Sequence, residues 1–335
     1  MRVGVPRALL YHHYGECWTS FLDAVGIEPV VTEATTSDTV VRGAVLSDNE
    51  TCLPVKVFAG HLLQLKENTD AVLVPRVVSQ YDGMKACPKY LGLPDMARSF
   101  DPALPPVMAP LMDLADRRGR WAREWYQLAR DTGASAHCAD DAVKSLLRGL
   151  RGVEAQPQGF GDLTPQAPHH GGGREAAADD SRSFTVGVAG HLYNVYDSRA
   201  SLGMLGRIGQ MGARIRTVDE VSRRDVRRQL KTLPRKIRWD FESRMVGAVL
   251  HWSRTRSVAG VIYVSSFACG PGSMIGALIE DQMNREDSVP LMSLILDEHS
   301  GEGGLITRIE AFLDMVRRSN EGASVAALRR GVAKR

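Results

Sequence analysis

Hydrophobic positions along the first hundred residues alternate between two rhythms. Arg2–Val5 reads as a short apolar strand, and Ala8–Val25 as a helix whose Leu10, Tyr14, Trp18, Phe21 and Val25 recur near the helical period. Gly26 ends that helix, and Pro29–Thr32 is the next strand. Ser37–Leu46, capped by Ser37, and Val55–Leu65 read as further helices. Ala71–Val78 (AVLVPRVV) is a continuous apolar run that suits a strand covered on both faces, although Pro75 argues against a central position there. Pro106–Pro110 is the next strand, and helical pattern follows to about Arg151. Such alternation predicts a mostly parallel sheet.

Residues 152–182 break every period and are rich in Gly, Pro, Gln and Asp. They read as a flexible linker, and His169 and His170 inside it as ordinary polar residues. The expected fold is therefore α/β: two Rossmann-like domains with mostly parallel sheets, over 1–151 and 183–335, joined by that linker. The two openings are alike. RVGVPRALLYHHYG and FTVGVAGHLYNVYD each give a strand ending Val-Gly-Val, a turn, then a helix carrying His and Tyr. Each helix runs to a glycine, Gly26 or Gly212, before another apolar strand. This is the mark of a weak internal repeat. In the second half Val258–Ser265 and Leu291–Leu296 are buried-strand candidates, and Thr307–Arg317 is a closing helix.

Charge narrows the function classes. The 335 residues carry 42 Lys and Arg against 39 Asp and Glu, a formal net charge of +3, which is too small to argue for nucleic acid. The arginines around 207–238 read as a solvated helical face. No apolar run reaches the roughly 18 residues that a membrane span needs. The N-terminus enters a strand pattern with no signal or transit segment. Five cysteines are an odd count and make no disulfide framework, so a reducing, cytoplasmic setting is expected. There is no Walker A loop, and CGPGSMIGALIED misses the dinucleotide fingerprint by one residue.

The cysteines carry the sharpest pattern. Cys52 precedes Pro54, Cys87 precedes Pro88 and Cys269 precedes Pro271, whereas Cys17 and Cys138 have no such proline. Each proline falls where a helix or turn should begin, since its missing N–H costs nothing at the first helical positions. A thiol just ahead sits at the positive end of the helix dipole, where a lowered pKa favours the thiolate that binds iron or zinc. Cysteine followed by proline also recurs in iron–sulfur ligand runs. Structural zinc usually takes close pairs such as C-x2-C, which this chain lacks. The widely spaced set suits a cluster gripped between two domains, with one iron left open. Charged and polar neighbours are candidate substrate or supporting groups: Glu50, Lys56, His61 and Lys89 beside the first two cysteines, Tyr193 and Asp197 on the helix opening the second domain, and Thr307 and Arg308 after its last strand. His191 and Glu302, which follow strand ends, are the candidate catalytic pair.

NETCLPVKVFAGH, VPRVVS, CPKYLGLPD, GHLYNVYD, FACGPGS and DEHSGEGGLITRIEAF together resemble the acyl-CoA dehydratase activase-related family. That family carries a domain similar to subunits of 2-hydroxyacyl-CoA dehydratases, such as the 2-hydroxyglutaryl-CoA enzyme, and to double-cubane-cluster proteins. The resemblance covers residues 1 to about 100 and about 183 to 318. It implies one 4Fe–4S cluster held by Cys52, Cys87 and Cys269. It also implies low-potential electron transfer from an ATP-hydrolysing activase or a homologous cluster-bearing subunit, an acyl-CoA or other small substrate at the open iron, and a two-subunit or dimeric assembly. The ATPase module fused to many members is not expected within these residues. Two other readings stay open here: an electron relay or accessory subunit without a substrate of its own, and a metal-free ligand-binding module.

Overall fold

The computed structural model describes residues 1–81, 84–116, 118–155, 184–285 and 288–332. The chain forms two compact units, and they are not a simple division of the sequence. The first takes residues 1–158 together with 235–243 and 266–271; the second takes 159–234, 244–265 and 272–335.

In the first unit the order is β1 (Arg2–Val5), α1 (Tyr11–Ala24), β2 (Glu28–Val31), α2 (Ser37–Leu46), α3 (Leu53–Leu65), β3 (Ala71–Leu73), β4 (Arg76–Tyr81) and β5 (Met84–Lys85). Then come α4 (Pro88–Phe100), β6 (Val107–Met108), β7 (Leu111–Asp113), α5 (Ala122–Asp131) and α6 (Ala136–Ala155). The main sheet is parallel, in the order β2-β1-β3-β6. A smaller sheet, β5-β4-β7, continues from it. The apolar run at 71–78 is thus two strands, broken at Val74–Pro75 because proline has no N–H for a ladder. Its partner breaks in the same place. Val72 pairs with Val107 and Arg76 with Leu111, so Ala109–Pro110 interrupts the neighbouring strand opposite Pro75.

α1 starts at Tyr11, three residues later than its apolar spacing predicts, because Leu9 is held at φ 53 and turns the chain out of β1. The cap of α2 is Thr36, not Ser37. Its hydroxyl accepts from the Thr39 N–H at 3.2 Å while its own N–H donates to the Thr39 hydroxyl. α6 runs on to Ala155, so the first residues of the expected linker are helical, while 156–182 lie outside the described residues.

The second unit contains β8 (Phe184–Gly190), α7 (Leu192–Val195), α8 (Met204–Gln210), β9 (Ala213–Thr217), α9 (Arg223–Leu230), most of α10 (Asp240–Thr255), β10 (Gly260–Ser266), most of α11 (Gly270–Arg285), β11 (Leu291–Leu296) and α12 (Glu302–Val332). Its strand order is β11-β10-β8-β9, and the β10, β8 and β9 pairings are parallel. Numbered within each main sheet, both run second, first, third, fourth strand. The internal repeat is therefore real at the level of topology. The helix expected from 192 to Gly212 is broken after one turn. Asp197 Oδ1 accepts from the N–H groups of Arg199 and Ala200, and Leu202 and Gly203 turn left-handed at φ 54 and 67. Among the described residues no helix is long and apolar enough to cross a membrane.

Candidate functional site

In an open α/β sheet of this order the crevice lies beyond the carboxyl ends of the first and third strands, where the winding reverses. The two units treat that position differently. In the first it is filled: Pro6, Leu9, Leu10, Val74, Pro75 and Tyr90 are among the residues closing around an apolar cavity of about 20 Å³. That is room for one water, and an apolar lining gives a water nothing to bond. In the second unit the same position is polar. Register pairs Val264 with Gly190, so Ser265 and His191 follow side by side at the strand ends. His191 is 3 % exposed and its ring stacks on Tyr193 at 5.0 Å and 11°. The Ser265 hydroxyl is buried with no hydrogen-bond partner. Sequence reading singled out His191 but missed Ser265, which looks like one more residue of an apolar strand.

The cysteines sit at helix entries, as their prolines predict. Cys52 is the N-cap of α3 and Cys87 the N-cap of α4, both in extended backbone and both followed by proline within the first two helical positions. Cys269 directly precedes α11, whose second residue is Pro271. It follows Ala268, a non-glycine residue at φ 59, and its N–H bonds to the Ser266 carbonyl at 3.1 Å. Cys269 was expected in the second domain, with the site between domains. Instead residues 266–271 pack with the first unit, which holds Cys52 and Cys87 as well. The chain leaves β10 and turns at Ala268 before α11 begins, which carries the thiol out of the second sheet.

The dipole does not win at Cys52 and Cys87. Burial pushes Cys87 up to about 11, with further upward push from the Glu242 carboxylate and from Cys52, against the Lys89 N–H and ammonium. Burial also raises Cys52, opposed by Lys89, by the N–H groups of Val55 and of Cys52 itself, and by Lys56. The expected lowering is therefore overturned by desolvation. Among the described residues no three His, Cys, Asp or Glu side chains are grouped to hold a metal ion. Cys17 and Cys138 stand apart from this pattern: Cys17 lies against Gly149 of α6, and Cys138 Sγ is 3.0 Å from the Ala24 carbonyl.

The chain's sequence matches the family described as the CoA enzyme activase uncharacterised domain over residues 2–221. It belongs to that family. No curated protein matches it significantly. Membership in the CoA enzyme activase domain family agrees with the resemblance to acyl-CoA dehydratase activase-related proteins. The matched span holds Cys52, Cys87 and His191; Cys269 and Glu302 lie beyond it.

The remaining candidates in this CoA enzyme activase domain chain fall into two groups. In the first unit Lys56 is 1 % exposed, its Nζ donating to the Asn49 carbonyl at 3.1 Å, and His61 is fully buried with Nε2 3.0 Å from the Thr35 hydroxyl. Lys89 is half-buried in the first turn of α4 and Glu50 is exposed in the turn before Cys52. In the second unit Glu302 opens α12 and is ion-paired to Arg207 at 2.6 Å and more loosely to Arg199 at 3.9 Å. Thr307 bonds back to the Gly303 carbonyl within α12, and Arg308 donates to the Ser293 carbonyl of β11. Tyr193 lies within the one-turn α7, and Asp197 follows it. Sequence reading missed Glu242, a carboxylate 2 % exposed in the first turn of α10. An acidic residue there reads as an ordinary complement to the helix dipole.

Proposed function

We propose that the protein is an iron–sulfur electron carrier. It takes low-potential electrons from an ATP-hydrolysing activase or a homologous cluster-bearing subunit and passes them to a small substrate such as an acyl-CoA. The observation that carries this reading is the common setting of Cys52, Cys87 and Cys269: one compact unit and one helix-entry design. The donor chemistry fits. Two soft thiols that burial keeps protonated gain from a cationic metal group, since a coordinating thiol is deprotonated outright. A zinc ion draws four ligands into one coordination sphere, whereas a cluster takes its thiolates on different irons.

A 4Fe–4S cluster supplies one-electron transfer and, with three protein ligands, one iron open to a further group. Cys52, Cys87 and Cys269 would hold it. Lys56 and Lys89 keep positive charge beside Cys52, which favours its thiolate. In the second unit His191, held by its stack on Tyr193 at a strand end, is the candidate to give or take a substrate proton. Glu302, fixed by Arg207, is the candidate to orient the substrate, with Arg308 anchoring the same helix to β11.

The test is the full chain purified and reconstituted without oxygen, followed by iron and sulfide analysis. Cys52→Ser, Cys87→Ser and Cys269→Ser should each lower bound iron by similar amounts, and the losses should not add. Cys138→Ser should retain iron. Stoichiometric zinc without sulfide, or full iron in Cys269→Ser, overturns the reading.

A further inference from the structure

The carboxyl end of β10 carries a hydroxyl that the fold does not use. Ser265 is 4 % exposed, and its Oγ has no hydrogen-bond partner. A hydroxyl dried and left unbonded destabilises the fold, and an alanine there would avoid that penalty.

The alternation of β10 says where this hydroxyl faces. A side chain on Gly260 would meet Val316 at 2.7 Å and Phe312 at 3.1 Å, so the even positions of the strand face α12. The odd positions face α11. Tyr263 Oη donates to the Gly272 carbonyl at 2.7 Å, and a side chain on Gly276 would meet the Tyr263 ring at 2.9 Å. Ser265 lies on that face two residues beyond Tyr263, about 7 Å nearer the carboxyl end of the strand. It is therefore aimed at the first turn of α11, whose Gly272 and Ser273 belong to the second unit with it.

This corner suits a negatively charged group. α11 runs for 16 residues, and no acidic residue stands in its first turn to neutralise the positive end. Ser273, in the same turn, is exposed, so the corner is reached from solvent. Strand register sets His191 beside Ser265, at the reversal of winding between β8 and β10.

We propose that this corner is an oxyanion subsite: the Ser265 hydroxyl and the positive end of α11 hold one carboxylate or phosphate group of the substrate. It rests on the reading that a substrate comes to these strand ends, where His191 gives or takes its proton, and not on the cluster. The hydroxyl donates to the anion, a charge-assisted bond that also satisfies Ser265. Holding one end of the molecule there sets the remainder beside His191. The step is binding alone, and no covalent bond forms or breaks.

The experiment uses the full chain without metal, as wild type, Ser265→Ala and Ser273→Asp. Binding of inorganic phosphate and, separately, of acetate is read by titration calorimetry at one pH, with ionic strength held constant by sodium chloride. The denaturant midpoint is read without either anion. The wild type should bind at least one of the two saturably, and the tighter one names the group. Ser265→Ala should weaken that binding at least about tenfold, the scale of a lost hydrogen bond to a charged group. Its ligand-free midpoint should be no lower than that of the wild type, because the group removed was buried and unbonded. Ser273→Asp should also weaken binding, while an acidic residue at a helix start keeps the ligand-free chain stable. The subsite is overturned if neither anion binds saturably, or if either variant binds as the wild type does. A ligand-free midpoint that falls in Ser265→Ala overturns it as well, since the hydroxyl is then bonded within the fold. Iron is counted separately: a chain that takes up none fails the electron-carrier reading and leaves this test standing.

Discussion

Cys17 and Cys87 illustrate how differently buried thiols can be used. Burial lifts both to about 11, yet Cys17 faces Gly149 in a helix contact while Cys87 opens a helix beside Lys89 and Glu242. Their pKa values are raised on folding, so they contribute stability that is complete below about pH 9 and is lost as pH rises towards 11. Tyr196 shifts the same way, through burial and then the Asp219 carboxylate, and adds to the loss further into alkali. The metal-free chain should therefore show a falling denaturant midpoint from pH 9 to 11. Cys17→Ala should flatten that fall by about 1–2 kcal/mol across the window, the scale of a shift of one or two pKa units. A fall as steep as that of the parent would show that Cys17 ionises as freely when folded as when unfolded. The sequence set Cys87 apart from Cys17 by the proline that follows it. It gave the wrong sign for the helix-entry pKa, because the dipole is visible in local spacing and desolvation is not.

Among the elements, the α2–α3 pair is the tightest fit in the first unit. A side chain on Gly43 would meet the Lys56 carbonyl oxygen at 1.8 Å, and one on Gly60 would meet the Thr39 carbonyl oxygen at 1.9 Å. Both obstacles are backbone, so neither can yield by rotating a side chain. Gly43→Ala is expected to cost about 1–3 kcal/mol in chemical denaturation, in line with overpacked cores, and to displace α3. Since Cys52 is the N-cap of α3, the proposed cluster reading expects iron uptake to fall in the same variant. Unchanged stability would mean the helices can part without penalty. Sequence reading passed over both glycines, while the prolines were read well. Pro54, Pro88 and Pro271 marked helix starts, and Pro75 marked a break that Pro110 mirrors on the neighbouring strand. Close approach depends on a partner helix, so its glycines carry no local signal. Leu9 at φ 53 is similar: its apolar spacing favours helix, and the turn out of β1 decides otherwise.

At the scale of the whole molecule the two sheets share one strand order and differ in what fills the reversal of winding. The repeat was legible because it rests on local patterns, whereas the interleaving of the chain was not. Residues 235–243 and 266–271 complete the first unit, so a nick between Gln158 and Phe184 leaves two of its pieces on the later fragment. Fragments nicked there by protease should co-purify under native conditions and separate only in denaturant. Fragments that part freely would show that the first unit does not need residues 235–243 and 266–271. The same arrangement bears on biosynthesis. Cys269 leaves the ribosome 182 residues after Cys87. At synthesis rates of about 5–20 residues per second the earlier thiol waits roughly 10–35 s for the later one. Under the proposed cluster reading the nascent chain presents Cys52 and Cys87 through that interval without their third ligand, so cofactor delivery would belong after translation and an oxidant would meet two unligated thiols before it.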